Sequence, residues 1–130
     1  MFEHVNWLAV LIATAGSFAI GGLWYSPVLF GKAWQADMNI TEQKAHPAKV
    51  FGLAFAFSFV ACVALATLIT PDMSLMQSLN MGLLVGVGCV FCAFGVNYQF
   101  ADRPTRVLLI DGGYHTVQFS MFAVILHYMG

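Results

Sequence analysis

The sequence predicts an all-α membrane protein: an antiparallel up-and-down bundle of four transmembrane helices, with a short interfacial segment after the first. Three observations carry this. Of 130 residues, 60% are hydrophobic and 8% charged, where a soluble domain carries roughly 25% charged residues. The apolar residues fall into four runs of about 20, the number needed to cross ~30 Å of hydrocarbon at 1.5 Å per residue. Between the runs lie turn signals and most of the charge. Four such spans use most of the chain, so residues 1–130 form one transmembrane domain with no room for a separate soluble one.

The first span covers 6–25, with Trp7 at its start and Trp24-Tyr25 at its end, where aromatic rings anchor a helix at the water boundary. Its acidic start and long apolar run argue for a retained span rather than a cleaved signal. Ser26-Pro27 closes it. Val28 to Ala48, with Lys32, Asp37, Glu42, Lys44 and His46 beside Trp34, is too polar to span and suits a short helix on the interface. The second span, 49–69, carries Gly52 and Ala56, and Ala54 and Ser58, at a spacing of four, which lets helix backbones approach closely in lipid. After Thr70-Pro71-Asp72, Ser74 and Gln77 have the spacing of a capping box. The third span, 79–98, contains Gly82 and Gly86 as G-x-x-x-G. Asp102-Arg103-Pro104 turns the chain, with Pro104 expected at the first position of the last helix, and the fourth span covers 106–128.

Lys32, Lys44 and Lys49 fall in the first connection and Arg103 and Arg106 in the third. With four spans these share one side, which the positive-inside rule makes the cytoplasm. The expected location is thus the bacterial inner membrane, with both termini outside the cytoplasm. A net charge of -1 gives no footprint for nucleic acid. The lipid bilayer is the first partner. Stripes of small residues suit a homo-oligomer, dimer or larger, or a second membrane protein.

Asn6-Trp7-Leu8-Ala9-Val10, Gly22-Leu23-Trp24-Tyr25-Ser26-Pro27 with Phe30-Gly31-Lys32-Ala33-Trp34, and Asp111-Gly112-Gly113-Tyr114-His115 together resemble the small bacterial membrane proteins grouped as DUF1761, a family of unknown function. The resemblance covers nearly the whole chain. It implies a four-span inner-membrane protein and carries no activity or catalytic residue.

The residues themselves point to the last span. Asp111, His115 and Gln118, at i, i+4 and i+7, make one polar stripe, and Gly112, Thr116 and Ser120 a small-residue stripe beside it. Asp111 lies roughly 7 Å inside the cytoplasmic end of its helix and His115 about 6 Å deeper. An ionisable group at membrane depth is expensive and marks a working site or a contact that fixes the bundle. By depth, Asn97 matches Asp111, and Ser17 and Ser58 match His115. The expected site is a polar pocket lined by Asp111, His115, Gln118, Asn97 and Ser17, with Trp24, Tyr25 and Tyr114 near its mouth. It would bind or pass a small solute or a proton. The alternative is an accessory or assembly protein in which Asp111 and His115 neutralise each other as a structural clamp.

Other motifs carry less. Cys89-Val90-Phe91-Cys92 lies in an apolar span with Cys62 as its one fellow thiol, and reads as packing rather than redox or metal chemistry. His4, Met73, Met76, His127 and Met129 gather soft ligands on the outer side, with no spacing that makes them one site. Paired carboxylates, a nucleophile elbow, a phosphate loop and H-E-x-x-H are all missing from the sequence. The sequence therefore predicts no enzyme, metal or cofactor.

Overall fold

A computed structural model describes residues 1–39 and 46–130. Its helices are α1 (Trp7–Trp24), α2 (Gly31–Met38), α3 (Pro47–Leu68), α4 (Leu75–Phe100) and α5 (Thr105–Met129). Each begins for a local reason. Asn6 caps α1, its side-chain oxygen accepting from the amides of Leu8 and Ala9 at 3.1 and 3.2 Å. His46 caps α3 through Nδ1, and Pro47 occupies the first helical position. Both bonds of the Ser74/Gln77 capping box are present, at 2.8 and 3.1 Å, so α4 starts at Leu75, before the position where unbroken hydrophobicity begins. Pro104 is the residue before α5 rather than its first helical residue, because its extended backbone lets Thr105 open the helix. Asp102 takes a left-handed conformation, φ 54°, in the tight turn before it.

The interfacial segment expected over Val28 to Ala48 forms α2 over eight residues. Its charged members Glu42 and Lys44 lie outside the described residues.

Among the described residues, three helices are long and apolar enough to cross a membrane: α1, α3 and α4. These are the helices of a membrane protein. Helix α5 has 25 residues and so the length, but Asp111, Tyr114, His115, Thr116 and Gln118 lower its hydropathy. The packing explains how those groups are tolerated. Leu8 and Leu11 of α1, Phe57 and Val60 of α3, and Leu84 and Val96 of α4 face outward, while α5 buries Asp111 and Gln118 beside Val107, Phe119 and Phe122. The apolar helices are outside and the polar one within.

Contacts fix how α5 sits. Asn6, before α1, donates to the carbonyl of Met129 at the end of α5, and Trp24, at the end of α1, reaches Ile110 near its start, so the two run in opposite directions. Helix α4 also runs opposite to α5: Gly82 meets Phe119 and Phe91 meets Gly112. A Cβ at Gly82 would stand 2.7 Å from the Phe119 carbonyl oxygen, and one at Gly112 would run into the Phe91 ring. Glycine at both is what brings the helices this close. Gly52, by contrast, has nothing within 4 Å among the described residues and does not pack against them.

Helix α4 is not uniform. Residues Leu84–Phe91 form a π-helical segment. Among the residues that meet α5 are Gly82, Gly86, Phe91, Phe94 and Tyr98, and the step of five from Gly86 to Phe91 falls inside this segment. A regular α-helix would step to position 90, then 93 and 97. The extra residue turns the following face by about 100°.

Candidate functional site

Asp111 lies on the buried face of α5, 6% exposed. Its two carboxylate oxygens each accept a phenolic hydrogen bond: Oδ1 from Tyr25 at 2.6 Å and Oδ2 from Tyr98 at 2.5 Å. Tyr25 follows the last turn of α1 and Tyr98 lies in the last turns of α4, so one carboxylate joins three helices. Tyr98 occupies the place expected for Asn97, which is exposed. The π-helical segment is the cause, since it advances the face of α4 that meets α5 by one residue.

Around this carboxylate the aromatic residues close in. The Trp24 indole donates to the Ile110 carbonyl at 2.8 Å and lies 3.1 Å from where a Cβ of Gly113 would stand. Tyr25 packs on Tyr114, ring centroids 5.6 Å apart, and edge-on against Trp34 of α2 at 5.8 Å. Arg106 grips Asp37 of α2 with Nε and Nη2 at 2.6 and 2.7 Å, a bidentate pair that holds α2 over the start of α5. The hydrogen bond from Arg106 keeps the Asp37 carboxyl below its ordinary range, partly offset by desolvation. Sequence reasoning missed Tyr98 and this ion pair. For the pair, the opposite charges of Asp37 and Arg106 were the one available signal.

His115 does not pair with Asp111. Its Nδ1 bonds Oε1 of Gln118 at 2.7 Å, Gln118 Nε2 donates to the Tyr114 hydroxyl at 3.4 Å, and that hydroxyl donates to the backbone carbonyl of Ser17 at 3.0 Å. Ser17 thus contributes its carbonyl, its own hydroxyl being turned to the Thr14 carbonyl at 2.6 Å. The imidazole stacks on Phe94 at 5.2 Å, planes 19° apart.

The single pocket expected from the sequence is therefore two arrangements on successive turns of α5. Asp111, Tyr25 and Tyr98 form a closed tie. His115 and Gln118 instead form part of the wall of a cleft of about 260 Å³, which Phe57, Ser58 and Ala61 of α3, Val90 and Phe94 of α4, and Phe119 complete.

Cys62 is buried, whereas Cys89 and Cys92 are exposed on α4, so those two do not serve the internal packing expected of them. At the other end of the molecule His4 and His127 line a small cavity of about 40 Å³. Among the described residues no three His, Cys, Asp or Glu side chains group to hold a metal ion.

No curated protein and no solved structure matches the chain. The family model of DUF1761, "Protein of unknown function", matches residues 8–127, so the chain belongs to the DUF1761 family.

Proposed function

We propose that this protein is a non-enzymatic ligand-binding membrane protein, and that its working site is the His115–Gln118 cleft. One observation carries the reading: Asp111 has both oxygens filled by tyrosine hydroxyls, while the ring of His115, fastened at one nitrogen, stands in the wall of a cleft between helices. A group held rigid on one side and left open on the other is arranged to receive something. A small solute binds there, or passes along it, between α3, α4 and α5.

The membrane arrangement that goes with this function has α5 as a fourth span, making an antiparallel up-and-down bundle with both termini outside the cytoplasm in the bacterial inner membrane. Burial of the polar stripe of α5 beneath three apolar helices supports the fourth span. The positions of Lys32, Lys49, Arg103 and Arg106 support the orientation. The open face around Gly52 supports a homo-oligomer, a second copy packing against the outer side of α3.

A second reading, an accessory or assembly protein, draws on the Asp111 tie, which joins α1, α4 and α5 and needs no ligand. Thermal stability of the detergent-solubilised protein from pH 5 to 8, against a membrane lipid extract and a panel of small metabolites, separates the two. The cleft reading expects a compound that stabilises the wild type and leaves His115→Phe and Gln118→Leu unmoved, with Asp111→Asn still responding. A wild type that no compound shifts more than His115→Phe refutes it.

A further inference from the structure

The hydrogen-bond chain behind His115 has a direction, and that direction selects the ligand. It starts at the Ser17 carbonyl, which can only accept, so the Tyr114 hydroxyl donates to it. With its single proton spent, that hydroxyl accepts from the Gln118 amide nitrogen. The amide nitrogen being so placed, the Gln118 oxygen faces His115 and takes a proton from Nδ1. A neutral imidazole carrying its proton on Nδ1 presents a bare lone pair at Nε2.

Among the described residues Nε2 of His115 has no hydrogen-bond partner, and it is not one of the side-chain atoms sealed away without one, as Trp34 Nε1 is. The Ser58 hydroxyl, on the part of the wall that α3 supplies, is likewise unpartnered and unsealed. Both lie beside the middle turns of α3 and α4, two helices that are long and apolar enough to span a bilayer, where water is scarce and an unmet polar atom is costly. Beside the Gln118 amide, whose oxygen is engaged by His115 and whose nitrogen is engaged by Tyr114, the cleft thus offers one acceptor and one hydroxyl, with no Asp, Glu, Lys or Arg in its lining. A carboxylate or an amine would find no counter-charge. A ketone or ether would leave Nε2 unmet.

We propose that the cleft takes a neutral membrane-soluble alcohol or phenol, its hydroxyl donating to Nε2 of His115 and accepting from Ser58, its apolar body lying among Phe57, Phe94 and Phe119. This assignment rests on the ligand-cleft reading above and adds the chemical class.

The test compares 4-butylphenol with its methyl ether, 4-butylanisole, on protein reconstituted in lipid nanodiscs, with affinities corrected for partition into lipid. The two share a skeleton and differ in the donated proton. The phenol is expected to bind about tenfold tighter, the worth of one neutral hydrogen bond, and His115→Phe to bring the two within about twofold of each other. Nitrogen-15 spectra of histidine-labelled protein, the His115 signal identified by its loss in His115→Phe, read the proton directly: wild-type His115 should show a bare Nε2 in the empty protein, moved by the phenol and not by the ether. Equal binding of both probes, or a proton found on Nε2, overturns the alcohol assignment while leaving a ligand cleft in place. If neither probe binds and no component of the lipid extract does, the cleft reading falls as well.

Discussion

Replacing Tyr98 by Phe removes one of the two hydroxyls on Asp111 and changes little else, because the ring keeps its edge contact with Phe94 at 5.5 Å. Hydrogen bonds to charged groups are generally worth about 1.5–3 kcal/mol, and interhelical ones in bilayers average about 0.6 with a maximum near 1.7. A side chain 6% exposed that accepts one phenolic hydroxyl on each oxygen belongs near the top of the second range, so the expected loss is about 1.5 kcal/mol. Asp111→Leu strands both phenols and should cost about twice as much. The decisive quantity is coupling. In a cycle with Asp111→Leu, Tyr98→Phe should show an interaction of about 1 kcal/mol or more, and His115→Ala less than about 0.5, because Asp111 and His115 share no hydrogen-bond partner. Reversible unfolding in mixed micelles measures both cycles. Stronger coupling of Asp111 to His115 than to Tyr98 would restore the acid-histidine pair and refute the tie.

Gly112→Ala drives a methyl group into the Phe91 ring and should destabilise by about 1–3 kcal/mol in the same unfolding assay, whereas Gly52→Ala, with open space around it, should stay within about 0.5 kcal/mol in monodisperse protein. Acid acts on the latch between α2 and α5. Asp37 is held below its ordinary value of 3.8 by Arg106, so the pair contributes stability above the ordinary carboxylate range and loses it as pH falls through the lowered value. Arg106→Gln should therefore lower the unfolding midpoint at pH 7 and converge on wild type in strong acid; an equal deficit at both pH values contradicts this origin. Trp34→Phe removes an indole nitrogen that is buried without a partner among the described residues and should be neutral or slightly stabilising by thermal unfolding, since no hydrogen bond seen there is lost.

How far the sequence could be read depended on which rule governed each residue. The membrane class was legible because hydrophobicity over about 20 residues follows from bilayer thickness alone. Individual caps were legible because they are local, as with Ser74 and Gln77. That α5 carries the polar site could be read from Asp111, His115 and Gln118, since acids in apolar runs are rare. Their partners could not, because partners depend on the rotation of neighbouring helices. Tyr25, expected near a pocket mouth, is a ligand of the carboxylate itself. Asn97 was chosen by depth alone; on a regular α-helix it would also stand eleven residues, or about 20°, from Gly86, while Tyr98 would stand about 120° away.

The π-helical segment reverses that order, and no single residue between Leu84 and Phe91 announces it. It behaves as one inserted residue, which makes it open to test by deletion. Removing Val87, exposed on the outer side of α4, should let the segment relax to α-helix and place Tyr98 eleven residues from Gly86, back on the face that meets α5. The deletion is then expected to cost less than about 1 kcal/mol, since π-helical turns are rare and carry no advantage in the backbone itself. The Tyr98–Asp111 coupling should survive it. A deletion variant that folds but loses that coupling would mean that the segment does more than advance the register. A natural candidate would then be the shape of the cleft wall at Val90 and Phe94, about one and two turns beyond the deletion, and the affinity of 4-butylphenol for the variant would decide it.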